Sequence, residues 1–144
     1  MEATLMLLGK TILSQLVVNV RLRNQDNENE MEITAIWDTG SSHSNISQKV
    51  ASQLQLQDHT HELLHTAGGT VLMATHFVDL ILPNTLTIPN VKVCESNIGE
   101  MGVDMLIGMD IISLGDFAIT NYDGTTKYLF RYPSSDKPIT FEQT

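Results

Sequence analysis

The run "MEITAIWDTGSS" (Met31–Ser42) alternates apolar and polar residues as far as Trp37 and then breaks into Asp-Thr-Gly. Alternation at a period of two marks a strand with one buried face. Gly40 follows at once and permits a close backbone approach by another loop. A carboxylate, Asp38, is therefore delivered on a tight turn at the end of a strand, which excludes most helical architectures for this part of the chain.

The same pattern recurs. Ile12–Leu22 is rich in β-branched residues and pairs with Met31–Trp37 as a hairpin across the polar turn Asn24–Glu30. Ser47 caps a short helix over "QKVASQL", whose Val50, Ala51 and Leu54 share one face. "HELLHT" and Thr70–Leu82 flank "AGG", a turn signal, and "PNT" leads into Leu86–Val93. Met105–Gly115 reads as a strand end running into one helical stretch that stops at a glycine. "DFAIT" and "TTKYLFRY" then flank "NYDG" as a final hairpin. Many short strands with two brief helices, and no linker or repeat, predict an all-β, barrel-like fold in one domain over 1–144.

A net charge of −9 and a pI near 4.7 argue against nucleic acid or an anionic membrane as the main partner, because both need a basic surface. Cys94 is the one cysteine, so no internal disulfide forms, and a reduced, buried thiol is expected. "MEATLMLLGK" has a short apolar run without the charge or cleavage site of a signal peptide, so a cytoplasmic location is expected.

Two protease-like signatures compete. "HELLH" (His61–His65) matches HExxH, which on a helix sets two histidines four apart for zinc with a glutamate between them to activate water. A zinc site needs a third protein ligand. In the longer version of the pattern that ligand falls on Val71, and neither His59 nor His76 has the expected spacing. The Ala67–Gly69 break also leaves too little chain for the helix. As a strand, Glu62, Leu64 and Thr66 point one way and His61, Leu63 and His65 the other, so no metal is expected.

"DTGSS" carries more. Asp38-Thr39-Gly40-Ser41 after a hydrophobic strand resembles the active-site loop of aspartic proteases. The glycine-centred "TAGGTV" and the "LIG" element at Leu106–Gly108 follow in the order of the retropepsin-like family, from about Ile12 to Phe130. The resemblance implies a closed acid-protease barrel, a flap hairpin and one short helix after the "LIG" turn. It implies an aspartic endopeptidase without cofactor, with Asp38, Thr39 and Gly40 catalytic and Ser41 supporting by donation to the carboxylate. Ala67, Gly68, Gly69, Thr70, Val71 and Leu106 are implied as flap and substrate-binding residues, with Leu72 as a further apolar wall. Ile107 and Gly108 form the turn packed beneath the catalytic loop.

Pepsin-like enzymes carry two such loops in one chain, whereas Asp104, Asp110 and Asp116 here all lack a following Thr-Gly. The resemblance therefore implies a homodimer acting on polypeptide, one Asp38 from each subunit. Viral members commonly place an acidic residue and an arginine where this chain has Ser42 and Met109, and a smaller residue than Trp37 before the aspartate. A non-viral bacterial or cellular member fits these departures, with "TTKYLFRYP" supplying interface strands instead. The alternative of another class is a dimerisation or peptide-binding domain that keeps the fold with little proteolysis.

Overall fold

The computed structural model describes residues 3–57 and 60–141. In chain order the elements are β1 (Ala3–Leu8), β2 (Val17–Asn24), β3 (Glu30–Trp37), β4 (Asn45–Ser47), α1 (Gln48–Gln53), β5 (Thr60–Thr66), β6 (Gly69–Ile81), β7 (Thr87–Ser96), β8 (Met105–Ile107), α2 (Met109–Ile112), β9 (Asp116–Thr120) and β10 (Lys127–Tyr132). Strand β2 buries Val18, Val20 and Leu22, while β3 buries Ile33, Ala35 and Trp37. The register Val18↔Ala35 and Val20↔Ile33 puts these side chains on one face, which is what period-two alternation specifies. Ser47 accepts the Val50 N–H and caps α1 as its sequence predicts.

The sheet order β2-β3-β8-β4-β7-β6 closes on itself because β2 also pairs with β6, from Arg21↔Ile81 to Asn24↔Val78. The result is a closed six-stranded mixed barrel. Its interior holds Leu22, Ile46, Leu80, Met105 and Ile107, all with almost no exposure. Burying each such side chain contributes roughly 1.5–3 kcal/mol. Strand β6 is 13 residues long and serves two structures. Gly69–Thr75 pairs with β5 as a projecting hairpin, and the remainder is a barrel stave against β7.

Three features depart from the sequence reading. The N-terminal apolar run is a true strand, β1, whose Leu5 enters the core. The expected strand from Ile12 begins only at Val17. Residues 9–16 have no ladder partner and are tied to the loop before β10, through Gly9 N–H to the Thr126 carbonyl and Leu13 N–H to the Thr126 hydroxyl. Third, β10 lies between β1 and β9 in a three-stranded sheet. Both its edges are paired, so the expectation that this run supplies interface strands is corrected: the chain's own N-terminal strand occupies the edge.

Candidate active site

Asp38 sits where β3 ends, on a loop held to the β8–α2 turn at several points. Its backbone N–H donates to the Ile107 carbonyl at 2.8 Å, and the Met109 N–H donates to the Ser41 carbonyl at 2.7 Å. Gly108 lies so close that a Cβ there would stand 2.7 Å from the Ser41 carbonyl oxygen and 2.8 Å from that of His43. Only glycine fits, which gives the "LIG" turn a direct physical reason.

Ser44, fully buried, is the knot of this arrangement. Its Oγ donates to Asp110 Oδ1 at 2.7 Å and accepts the Gly108 N–H at 2.9 Å, while its own N–H donates to Asp110 Oδ2 at 3.0 Å. Sequence reasoning missed both Ser44 and Asp110. The available signal was a carboxylate in the first turn of α2, which has its own N–H groups to satisfy.

Within the loop, one oxygen of the Asp38 carboxylate accepts the Gly40 N–H at 2.9 Å. The hydroxyl of Ser41 donates to the His43 carbonyl at 2.6 Å. Ser41 therefore braces the loop backbone, and the hydrogen bond to the carboxylate comes from Gly40.

Above the loop stands the β5–β6 hairpin, with Thr66 Oγ1 accepting the Gly68 N–H and donating to the Gly69 carbonyl across the tip. Gly69 has φ +114°, a conformation that side chains resist, whereas Gly68 does not. At the hairpin base, Lys92 on β7 donates to both Glu62 carboxylate oxygens at 2.9 and 3.1 Å.

A cleft of about 390 Å³ lies between hairpin and loop, and Asp38 opens into it with Gly40 and Ser41. Its far wall is one face of four neighbouring strands. Asn45 pairs with Cys94 across β4–β7, Cys94 with Thr75 across β7–β6, and Met73 with Glu62 across β6–β5. That face presents Asn45, Ser96, Met73 and Leu64 to the cleft.

"HELLH" lies on strand β5, so His61 and His65 share the face opposite Glu62. Glu62 is engaged by Lys92, and His65 Nδ1 pairs with Thr70 Oγ1 at 3.0 Å. His76 on β6 contacts the Gln57 carbonyl and Glu95, and His59 lies outside the described residues. Among the described residues no cluster of three His, Cys, Asp or Glu side chains is placed to hold a metal ion.

Residues 18–111 match the model of the aspartyl protease family. The chain belongs to that family. No curated protein matches its sequence. Among solved structures, a retropepsin-like aspartic protease from Rickettsia conorii superposes with a TM-score of 0.62 at 15% identity, over 94% of this chain and 97% of that one. The retroviral protease-like domain of Ddi1 from Leishmania major gives 0.51 at 15% identity, over 74% and 82%. The protease of EIAV, solved with the inhibitor HBY-793, gives 0.52 at 16% identity, over 69% and 86%. The shared fold is retropepsin-like.

In this family member the residues singled out from sequence fall into three groups. Asp38, Gly40, Ser41 and Ala67 line the cleft. Ile107 and Gly108 hold the loop from below. Gly68, Gly69, Thr70, Val71 and Leu106 do not line it, although Val71 shares the cleft-side face with Leu64. Leu72 pairs with Leu63 on the outer face, and both are exposed, at 61% and 69%. Val71 and Leu72 could not both be cleft walls, because successive strand residues face opposite ways.

The larger apolar residues that line the cleft are Leu64, Met73 and Ile98. Met109 and Ser42, where viral members carry an ion pair, make no such contact here; the intrachain Ser44–Asp110 bonds tie the same two segments together. Cys94 is buried, and burial pushes its thiol up to about 11. No helix among the described residues is long and apolar enough to cross a membrane.

Proposed function

We propose that the protein is an aspartic endopeptidase that works as a homodimer, with one Asp38 from each subunit at the two-fold axis. The observation that carries this reading is a lone carboxylate, rigidly held on its loop, open to a cleft under a hairpin flap. One carboxylate cannot act as base and acid in the same step. Two that share a proton can: one takes a proton from water as it attacks the scissile carbonyl, and the other donates to the carbonyl oxygen. The flap closes over extended peptide and excludes water. Thr39 reaches across the axis to the partner loop, and Gly40 permits the approach. The Asp38–Ser41 loop and Gly108 make each half-site rigid before the halves meet.

The test is casein hydrolysis by the purified chain and by Asp38→Asn, alongside sedimentation. Hydrolysis lost in the variant, with specific activity rising with enzyme concentration, supports the reading. Each subunit carries −9, so added salt should screen repulsion and tighten the dimer. Equal hydrolysis by both chains removes Asp38 from the chemistry. Peptide binding without hydrolysis by either leaves a peptide-binding domain.

A further inference from the structure

Ser96 ends β7 on the wall of the cleft. Its hydroxyl is, among the described residues, the one buried side-chain polar atom without a hydrogen-bond partner. A local partner is at hand: Ser96 precedes the 3-10 turn Asn97–Met101, where a serine hydroxyl ordinarily accepts a backbone N–H, yet it makes no such bond. Buried hydroxyls are nearly always paired, so one left open beside a catalytic loop points to a ligand. Asn45, on the same sheet face, is half committed: its Nδ2 donates to the His43 carbonyl at 2.8 Å, and its Oδ1 takes no donor among the described residues.

We propose that the cleft beside Asp38 selects a substrate residue with an amide side chain, Asn or Gln, and that Ser96 and Asn45 are the residues that determine this specificity. The inference rests on the peptidase reading above. An amide brings one acceptor and two donors: its carbonyl takes the Ser96 O–H, and its N–H meets Asn45 Oδ1. An aliphatic side chain leaves both protein groups unpaired, which is how a hydrogen-bonding site rejects an analogue lacking the group. An acidic side chain meets the Asn45 carbonyl oxygen and the Asp38 carboxylate and is repelled. Leu64, Met73 and Ile98 supply apolar contact for the remaining atoms. Peptide reaches the buried hydroxyl only by displacing the side chains that cover it.

The experiment uses octapeptides in which a single Gln, or Leu as control, is walked through the positions flanking the cleaved bond. Wild type is expected to prefer Gln over Leu at one register by about tenfold or more in kcat/KM. Ser96→Ala should bring that ratio close to one without lowering Tm, since the hydroxyl removed had no partner. A Gln/Leu ratio near one at every register, or a preference that Ser96→Ala leaves intact, overturns the proposal. If wild type cleaves none of the peptides, calorimetric binding of the same set to Asp38→Asn separates the two ideas. A Gln preference erased by adding Ser96→Ala keeps the subsite and removes the peptidase reading. No binding, or no preference, overturns the subsite.

Discussion

The indole N–H of Trp37 donates to the hydroxyl of Tyr128 at 3.2 Å, and that hydroxyl donates in turn to the Val17 carbonyl at 3.0 Å. The residue before Asp38 is thus pinned to the terminal sheet, with Phe117 and Phe130 at ring distances of 5.2 and 5.0 Å. A large aromatic belongs here because it spans from the barrel to that sheet. Burial pushes the Tyr128 phenol up to about 12, so it stays a neutral donor through the working pH range. Tyr128→Phe should strand the Trp37 N–H and the Val17 carbonyl and destabilise the fold by about 1–3 kcal/mol. Urea unfolding of the two chains measures this, and an unchanged midpoint would refute it.

Asp38→Asn should abolish turnover while the unfolding midpoint changes little, because among the described residues only the Gly40 N–H donates to the carboxylate. Chelators should have no effect on the wild-type rate. Activity lost in EDTA and restored by zinc would instead bring back the metal reading of "HELLH".

The flap glycines should separate. Gly69, at φ +114°, should resist valine at a cost of about 1–3 kcal/mol in the closed tip. At Gly68 a Cβ meets only Thr66 Oγ1, at 3.9 Å, so alanine should be tolerated. Comparing kcat/KM with Tm decides whether the tip is functional: Gly69→Val should reduce kcat/KM far more than Tm, and parallel losses would make the turn merely structural.

Ser44→Ala should loosen the Asp38 loop. It removes a buried hydroxyl that serves both the Asp110 carboxylate and the Gly108 N–H, and bonds to charged groups contribute about 1.5–3 kcal/mol each. Guanidinium unfolding should register a loss of this order, and turnover should fall with it. A normal midpoint would mean that the loop is held by its backbone bonds alone.

Stability should also follow the titration of Asp116. Ser134 Oγ, the Ser135 N–H and the Arg131 guanidinium all donate to it, holding its carboxyl at about 2. The folded value lies below the ordinary one, so the contribution is present above about pH 4 and is lost as pH falls through about 2. The Tm gap between wild type and Asp116→Asn should therefore be constant from pH 7 to about 5 and shrink below about 4. A gap independent of pH would assign the effect to shape rather than charge.

The sequence by itself determined the local terms: the alternation of β2 and β3, the Ser47 cap, the flap turn at Ala67–Gly69 and the carboxylate on a Gly-containing turn. Each depends on neighbours a few residues apart, and period and turn chemistry record such relationships. Tertiary structure decided which face of each strand meets which partner. The β2–β6 pairing closes the barrel, β1 takes an edge of β10, and β5 turns Leu64 rather than Leu63 to the cleft. The same holds for the bonds that shape the site. Ser44 and Asp110 are 66 positions apart in sequence, and Ser96 shares a sheet face with Asn45 only through the β4–β7 register. Hydrogen bonds between such distant residues are fixed by sheet order and closure, and a one-dimensional pattern carries no record of either.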